Sequence, residues 1–352
     1  MINLYIGDFD YDSNYRPFLV DILKPFFPKT NLEKYHLTHI DLEIIHNKYE
    51  SDFFLLPFCW NYYIKTDTIS VADGLIEEAR KNGKKILIWV TGDYYFSLPQ
   101  FDNVIGLYTS PYQSRQNVIT IPLPVIIQDP HSYLEIDTIN TRDFNVVPSV
   151  GFCGQSDSNL FGSFIKMTKL ALQNLCYHLN LIKFYSGPLI PPTYLRKKIL
   201  NILDRKSNLN TNFILRDRYQ GGESKKKDTF QIMRKEFYQN IYHSDYTLCV
   251  RGTGNFSARF YETLALGRIP VFINTDCILP FEDEINWKEH VVWVEENELT
   301  DIGIKISDFH NSLDKVNFKQ LQLKNRLLWE KYFSFPGFIN KLVLHLNKKL
   351  NS

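Results

Sequence analysis

The sequence is poor in the features that mark several classes of protein. Its 352 residues include five cysteines without a CxxC pair, and 40 Lys and Arg balance 39 Asp and Glu, for a net charge of +1. Dispersed cysteines in odd number indicate neither a disulfide framework nor a zinc site, and they fit a reducing compartment. A near-neutral chain is not expected to bind nucleic acid indiscriminately.

Long apolar runs are missing as well. The longest runs, such as Ile86–Val90, fall short of the roughly 18 residues of a membrane-spanning helix. The first residues do not combine a basic region with an apolar region, as a secretory signal does. We therefore expect a cytoplasmic protein, either free or peripheral at the inner face of a membrane. The sequence leaves its oligomeric state open.

What the sequence does contain is a globular composition in two α/β halves. It is 44% hydrophobic, with 26 Phe and 21 Tyr, which excludes disorder as the dominant state. We predict an α/β protein with two Rossmann-like domains, 1–145 and 146–312, whose parallel sheets face each other across a cleft. A helical segment follows at 313–352, for which packing back on the first domain is one option.

Apolar runs and helical spacing place the individual elements. In the first half, strands are predicted in NLYIGD, DFFLLP, KKILIWVTGD and DNVIGLYTS, with a helix between the second and the third. In the second half, the strand in VGFCG leads to a helix over about 159–178, and a later helix is predicted in FQIMRKEFYQNIYHSD. The last 35 residues or so read as one or two helices with a break at Phe335–Gly337.

The most informative segment runs from Asp245 to Glu296. A buried strand, Asp245–Val250, is followed by the loop Gly252–Asn255, which allows close approach of a ligand to the backbone. A helix is then predicted to begin near Ser257, and the N–H groups of its first turn suit a phosphate.

Charged side chains surround this loop. Arg251 follows directly at the end of the strand, and Arg259 lies in the first turn of the predicted helix. The planar guanidinium groups of both arginines could bind diphosphate oxygens. Glu262, one turn on, could accept hydrogen bonds from sugar hydroxyls. The alternative is a structural ion pair between Arg259 and Glu262, with glycines that only form the turn.

Two further arginines and two acids complete the candidates. Arg216 and Arg218 follow a neighbouring strand and could contact the diphosphate, or could lie in a solvated or ion-paired turn. If the bound nucleotide is the donor of a transfer to a hydroxyl group, that reaction also needs a base, for which Asp93 and then Asp8 are the candidates, because each follows a predicted strand. Each could equally be a helix cap or a turn acid. Aromatic residues 94–96 could form a sugar platform or pack in the core.

The stretch CVRGTGNFSARFYETLALGRIPVFINTDCILPF, with INWKEHVVWVEE after it, resembles the exostosin-type glycosyltransferases (GT47). VGFCG, LRDRYQGG and EFYQNIYHSDYTLCVRG resemble the same family upstream, so the resemblance is dense over about 148–296. It implies a GT-B fold and an inverting transfer of a hexosyl or pentosyl group from a nucleotide sugar, usually a UDP-sugar, to a glycan or glycoconjugate acceptor in polysaccharide biosynthesis.

The resemblance also implies roles for individual residues. Arg251, Ser257, Arg259 and Glu262 match the family's recurrent donor-site positions, and Arg216 and Arg218 fall in its LRD segment. GT-B enzymes generally need no metal, so we expect no cofactor besides the donor substrate; a metal role for the DxD-like pair Asp8 and Asp10 is the minor alternative. The competing function is a catalytically inactive relative that binds glycan or supports a partner enzyme.

Overall fold

The computed structural model describes residues 1–156, 160–216 and 227–350. The chain forms two compact units. Unit 1 comprises Met1–Pro124, Ile278–Pro280 and Lys331–Ser352, and unit 2 comprises Val125–Cys277 and Phe281–Glu330.

Unit 1 is built on a six-stranded parallel sheet. Its helices and strands up to residue 124 are β1 (Ile2–Tyr5), β2 (Leu42–Ile45), β3 (Phe53–Leu55), α1 (Trp60–Lys65), α2 (Ile69–Lys81), β4 (Lys85–Val90), β5 (Tyr95–Phe96), β6 (Val104–Tyr108) and β7 (Ile119–Pro122). The strand order in the sheet is β2-β1-β3-β4-β6-β7, and Leu87 lies opposite Ile105 in the register of β4 and β6. The four predicted strands are confirmed as β1, β3, β4 and β6, and the predicted helix as α2.

Unit 2 is built on a five-stranded parallel sheet. Its helices and strands are α3 (His131–Leu134), β8 (Ser149–Gln155), α4 (Leu160–His178), β9 (Phe184–Tyr185), α5 (Pro192–Asp204), β10 (Asn210–Arg216), α6 (Lys227–Tyr242), β11 (Tyr246–Cys249), α7 (Ala258–Ala265), β12 (Ile269–Asn274), β13 (Val292–Glu295), α8 (Ile302–Asn311) and α9 (Lys315–Tyr332). The strand order is β10-β8-β11-β12-β13. The chain therefore builds outward from β8 in both directions, as in a doubly wound fold. The predicted α/β class with two parallel sheets is confirmed.

Helices cover this second sheet with apolar faces. The main core joins the sheet to α5 and α8 through Ile199, Leu203, Ile302 and Ile306, all buried. A smaller cluster joins α6 to the end of α7 through Tyr238, Ile241 and Leu266. Among the described residues, no helix is both long enough and apolar enough to cross a bilayer.

The compact units do not follow the predicted boundaries at 145 and 312. Residues 125–145 fall in unit 2, because Arg142 Nε donates to Asp245 Oδ1 at 2.6 Å and Arg268 Nη2 donates to the Asn140 carbonyl at 3.0 Å. The chain after Glu330 falls in unit 1, including α10 (Phe335–Leu350).

The C-terminal helices also break at a different place. The sequence predicts a break at Phe335–Gly337, but these residues form the first turn of α10. Proline is tolerated there because the first N–H groups of a helix have no partner within the helix. Ser334 Oγ accepts from the Gly337 amide at 3.1 Å, which stabilises the start of α10.

Candidate functional site

The candidate site lies at the carboxyl ends of β8 and β11. These strands are neighbours, but the chain leaves them toward opposite edges of the sheet, which makes this the switch point of the fold. After β11 the chain passes through Arg251 and a turn in which the Gly252 amide donates to the Phe256 carbonyl at 2.9 Å, and then enters α7. Ligands of doubly wound folds bind in this position.

Arg259 lies across this switch point. Its Nη2 donates to the Cys153 carbonyl of β8 at 2.7 Å, and its guanidinium carbon lies 4.3 Å from the centre of the Phe152 ring. Burial lowers the pKa of Arg259. Within the described parts of the chain, Nε has no hydrogen-bond partner and the guanidinium has no carboxylate partner. Among the described residues, Arg259 is thus a half-buried cation without a carboxylate partner.

Gly154 makes room for this arginine. A Cβ atom at Gly154 would lie 2.8 Å from Arg259 Nη2. The glycine that ends VGFCG therefore matters through close packing against a charged side chain.

Arg251 is buried at the same edge of the sheet. Its Nη2 donates to the Ile190 carbonyl at 2.6 Å, and its own carbonyl accepts from Arg196 Nη2 at 2.9 Å. Arg196 Nη1 also donates to the Gln155 carbonyl at 3.4 Å, so this side chain connects the end of β8 to the loop after β11. Sequence reasoning missed Arg196 because it missed α5, although Leu195, Ile199 and Leu203 have helical spacing and two prolines precede them.

Ser257 occupies the N-cap position of α7. Its side chain makes no capping hydrogen bond, and the first turn contains no acidic residue. The partial positive charge of this helix start therefore adds to that of Arg259, which lies in the same turn.

Glu262 is buried on α7, but its partner is not Arg259. Arg234 Nη2 of α6 donates to Glu262 Oε1 at 2.7 Å, and the Tyr238 hydroxyl lies 3.4 Å from the same oxygen. Burial raises the pKa of Glu262, and the charge of Arg234 opposes that rise. The predicted alternative, an ion pair between Arg259 and Glu262, is therefore wrong: Glu262 pairs with Arg234, a residue that the sequence did not single out.

Two other predicted donor-site positions are Asn255 and Gly252, in the loop after β11. Asn255 Nδ2 donates to the Asp276 carbonyl at 3.1 Å, and Asn255 Oδ1 accepts from Thr275 Oγ1 at 2.8 Å, so this side chain connects the loops after β11 and β12. At Gly252 a Cβ atom would meet only the Phe256 carbonyl oxygen, at 4.0 Å. Packing within the protein therefore does not demand a glycine at position 252.

The LRD segment is described only at its start. Arg216 ends β10, and its Nη2 donates to Glu236 Oε2 at 2.5 Å and to the Met233 carbonyl at 3.1 Å. This matches the ion-paired alternative, with an acid of α6 as the partner. Arg218 lies outside the described residues.

The two candidate bases lie at the carboxyl ends of strands in unit 1. Asp8 follows β1 through Gly7, which has φ +72°, and Asp93 follows β4 through Gly92, which has φ +91°. Both carboxylates are exposed. Among the described residues neither forms a hydrogen bond or an ion pair, so the structure gives no sign that either acid caps a helix.

The aromatic residues after Asp93 have separate surroundings. Tyr95 and Phe96 are buried, and Tyr95 stacks on Tyr108 with ring centres 5.2 Å apart, so these two pack in the core. Tyr94 is 38% exposed. Across the described ranges, no three His, Cys, Asp or Glu side chains lie together as metal ligands would.

Part of the second half of the chain is similar in sequence to known proteins. Residues 191–307 match the model of the Exostosin GT47 domain. Exostosin-1 of Drosophila melanogaster is 32% identical over 117 residues, which are 33% of this chain and 14% of that protein. A probable glucuronosyltransferase of Oryza sativa subsp. japonica is 33% identical over 89 residues, 25% of this chain and 21% of that protein.

The predicted resemblance to exostosin-type glycosyltransferases is therefore confirmed over this part of the chain. The family match contains Arg196, Arg234, Arg251, Arg259 and Glu262 but not the strand β8. The chain corresponds to only 14–21% of the length of these two relatives.

Among solved structures, the chain resembles two bacterial proteins weakly. One is Staphylococcus aureus TarM in complex with UDP (TM-score 0.36, 11% identity, 85% of this chain and 55% of that chain). The other is the pneumococcal O-GlcNAc transferase GtfA in complex with UDP and GlcNAc (TM-score 0.34, 11% identity, 91% and 59%). With these scores, neither likeness defines the architecture of this chain.

Proposed function

We propose that the chain is a GT-B glycosyltransferase that binds a nucleoside diphosphate sugar, most simply a UDP-sugar, at the carboxyl edge of the sheet in unit 2. The acceptor is a glycan or glycoconjugate, and the transfer inverts the anomeric configuration. The observation that carries the proposal is Arg259, a half-buried cation whose guanidinium packs on Phe152 and has no carboxylate partner among the described residues.

A diphosphate satisfies what this site lacks. Burying a charge is costly unless the charge is paired, and the diphosphate oxygens would provide the missing anion. The start of α7 adds unpaired N–H groups, and Arg251 adds a second cation at the same edge. These positive groups support a donor site that needs no divalent cation.

The same groups would assist the chemistry. When the sugar departs, negative charge develops on the β-phosphate oxygens. Preorganised guanidinium and amide groups stabilise that charge more in the transition state than in the ground state. Glu262, held by Arg234, would act as an acceptor for sugar hydroxyls.

The proposal is tested by thermal unfolding with UDP, GDP, ADP, CMP and TDP, each with and without magnesium. A ligand at about 100 times its Kd adds about 2.7 kcal/mol of stability. We expect a response to one diphosphate that survives EDTA, that Arg259→Met abolishes, and that Arg205→Met leaves unchanged. Arg205 is an exposed arginine of the same unit and serves as the control. If no nucleotide shifts the transition, the competing glycan-binding role is favoured.

The base is assigned by a pair of matched variants. Asp93→Asn and Asp8→Asn remove exposed carboxylates that make no hydrogen bond within the described structure, so both variants should fold normally. The variant that removes the base should lower kcat by about 10²–10⁴-fold and keep the nucleotide response, and the other should keep near-normal turnover. We expect Asp93 to be the base; loss of turnover only in Asp8→Asn would reassign it.

A further inference from the structure

Helix α4 presents its apolar side chains to solvent. Phe161, Phe164, Ile165, Leu172 and Leu175 lie on this helix and are 53–75% exposed, as is Leu179 directly after it. They recur at intervals of three, four and seven residues, which places them in one stripe along a helix of 3.6 residues per turn. An apolar stripe of this length normally faces a core.

The two positions of α4 that are buried, among those described, are polar instead. Ser163 and Asn174 are buried. Asn174 Nδ2 donates to the Gly187 carbonyl at 2.8 Å, and Asn174 Oδ1 accepts from the Ser186 amide at 3.1 Å. These two bonds fix the rotation of the helix, so that its apolar stripe faces outward.

The segment of chain that contains the stripe carries charge of one sign. Residues 160–203 contain six Lys and Arg and no Asp or Glu. Lys169, on α4 beside the stripe, and Lys183, shortly after the helix, are both exposed. An apolar stripe with exposed lysines beside it is typical of helices that lie in the interface of an anionic membrane.

We propose that α4 and the turn after it bind the surface of an anionic lipid bilayer, with the apolar stripe buried among the lipids and the lysines near the headgroups. A second copy of the chain fits less well, because stacking two such stripes would bring like charges together. This inference is independent of the donor site.

The test uses the full chain and vesicles of neutral phosphatidylcholine, with and without about 30 mol% phosphatidylglycerol. We expect co-sedimentation with the anionic vesicles at about 0.1 M salt and release at about 1 M salt. Phe164→Gln, Leu172→Gln and Leu175→Gln together should weaken binding about tenfold or more. Lys169→Gln with Lys183→Gln should weaken it by about fivefold per lysine.

The matched control replaces apolar residues of equal exposure on α8 and α9: Ile304→Gln, Val316→Gln and Leu327→Gln. This control should bind vesicles like the wild type, and thermal unfolding should show that all variants fold. Equal binding by the wild type and the stripe variant would overturn the proposal, as would equal binding to neutral and anionic vesicles. A dimer that the stripe variant converts to monomers, without vesicle binding, would assign the stripe to self-association.

Discussion

At the scale of single residues, Arg259 combines a stability cost with a binding gain. Its guanidinium packs on Phe152, is half-buried, and has only carbonyl hydrogen-bond partners among the described residues. Arg259→Met keeps an unbranched side chain on the aromatic ring and removes the half-buried charge. We expect the melting temperature to stay equal or rise, while transfer falls by about 10²–10³-fold.

A second substitution at this position separates charge from geometry. Arg259→Lys keeps the charge but loses the planar fork that binds two oxygens at once, so its transfer rate should lie between those of the wild type and Arg259→Met. Melting curves and initial rates on the same preparations measure both effects. A destabilised Arg259→Met that still responds to the nucleotide would show that the arginine is structural.

Glu262 gives the stability of the protein a pH dependence of known sign. Burial raises the pKa of this carboxyl, so the folded protein holds the proton at a pH where the unfolded chain has lost it. The stability that this group contributes is therefore present at low pH and is lost as the pH rises through its folded pKa. Relative to Glu262→Gln, the wild type should gain stability as the pH falls from 8 toward about 5.

Melting temperatures of both proteins across that range test the sign. A trend in the opposite direction would mean that Arg234 more than offsets the burial of Glu262.

At the scale of elements, the contact of α6 with β8 depends on a missing side chain. A Cβ atom at Gly151 would lie 2.3 Å from Ser244 Oγ and 3.1 Å from the Asn240 carbonyl oxygen, at the end of α6 and just beyond it. Gly151→Ala should therefore push the helix from the strand and cost about 1–3 kcal/mol of unfolding free energy. Gly252→Ala serves as the control, because the added Cβ atom would lie no closer than 4.0 Å to the Phe256 carbonyl oxygen. This variant should leave the free energy of unfolding nearly unchanged. Chemical denaturation measures both variants.

The individual elements differ in how far the sequence could predict them. Strands such as β4, β11 and β12 are continuous apolar runs between turn residues, and this pattern made them predictable. Glu262 was predicted as a donor-site residue, and its ion-pair partner Arg234 was not predictable, because their pairing depends on how α6 packs beside α7. Arg196 was missed together with its helix, since α5 begins at the second of two consecutive prolines.

At the scale of the whole molecule, the boundary between the units was the least predictable feature. Residues 131–145 are polar and lack periodicity, which favours a linker by composition. They belong to unit 2 because long-range partners hold them. Arg326 of α9 forms two bonds to the Asp129 carboxylate, at 2.9 and 2.6 Å, just before this stretch.

These contacts predict how unit 2 behaves when it is cut from the chain. A fragment of residues 125–330 keeps Asp129 with Arg326 and Arg142 with Asp245, whereas a fragment of residues 146–330 loses both ion pairs. Asp245 is fully buried, so losing Arg142 leaves its carboxylate without that counterion, at a cost of about 3–5 kcal/mol. The longer fragment should unfold cooperatively by circular dichroism, and the shorter one should be far less stable. Equal stability of the two would show that residues 125–145 contribute nothing to the stability of unit 2.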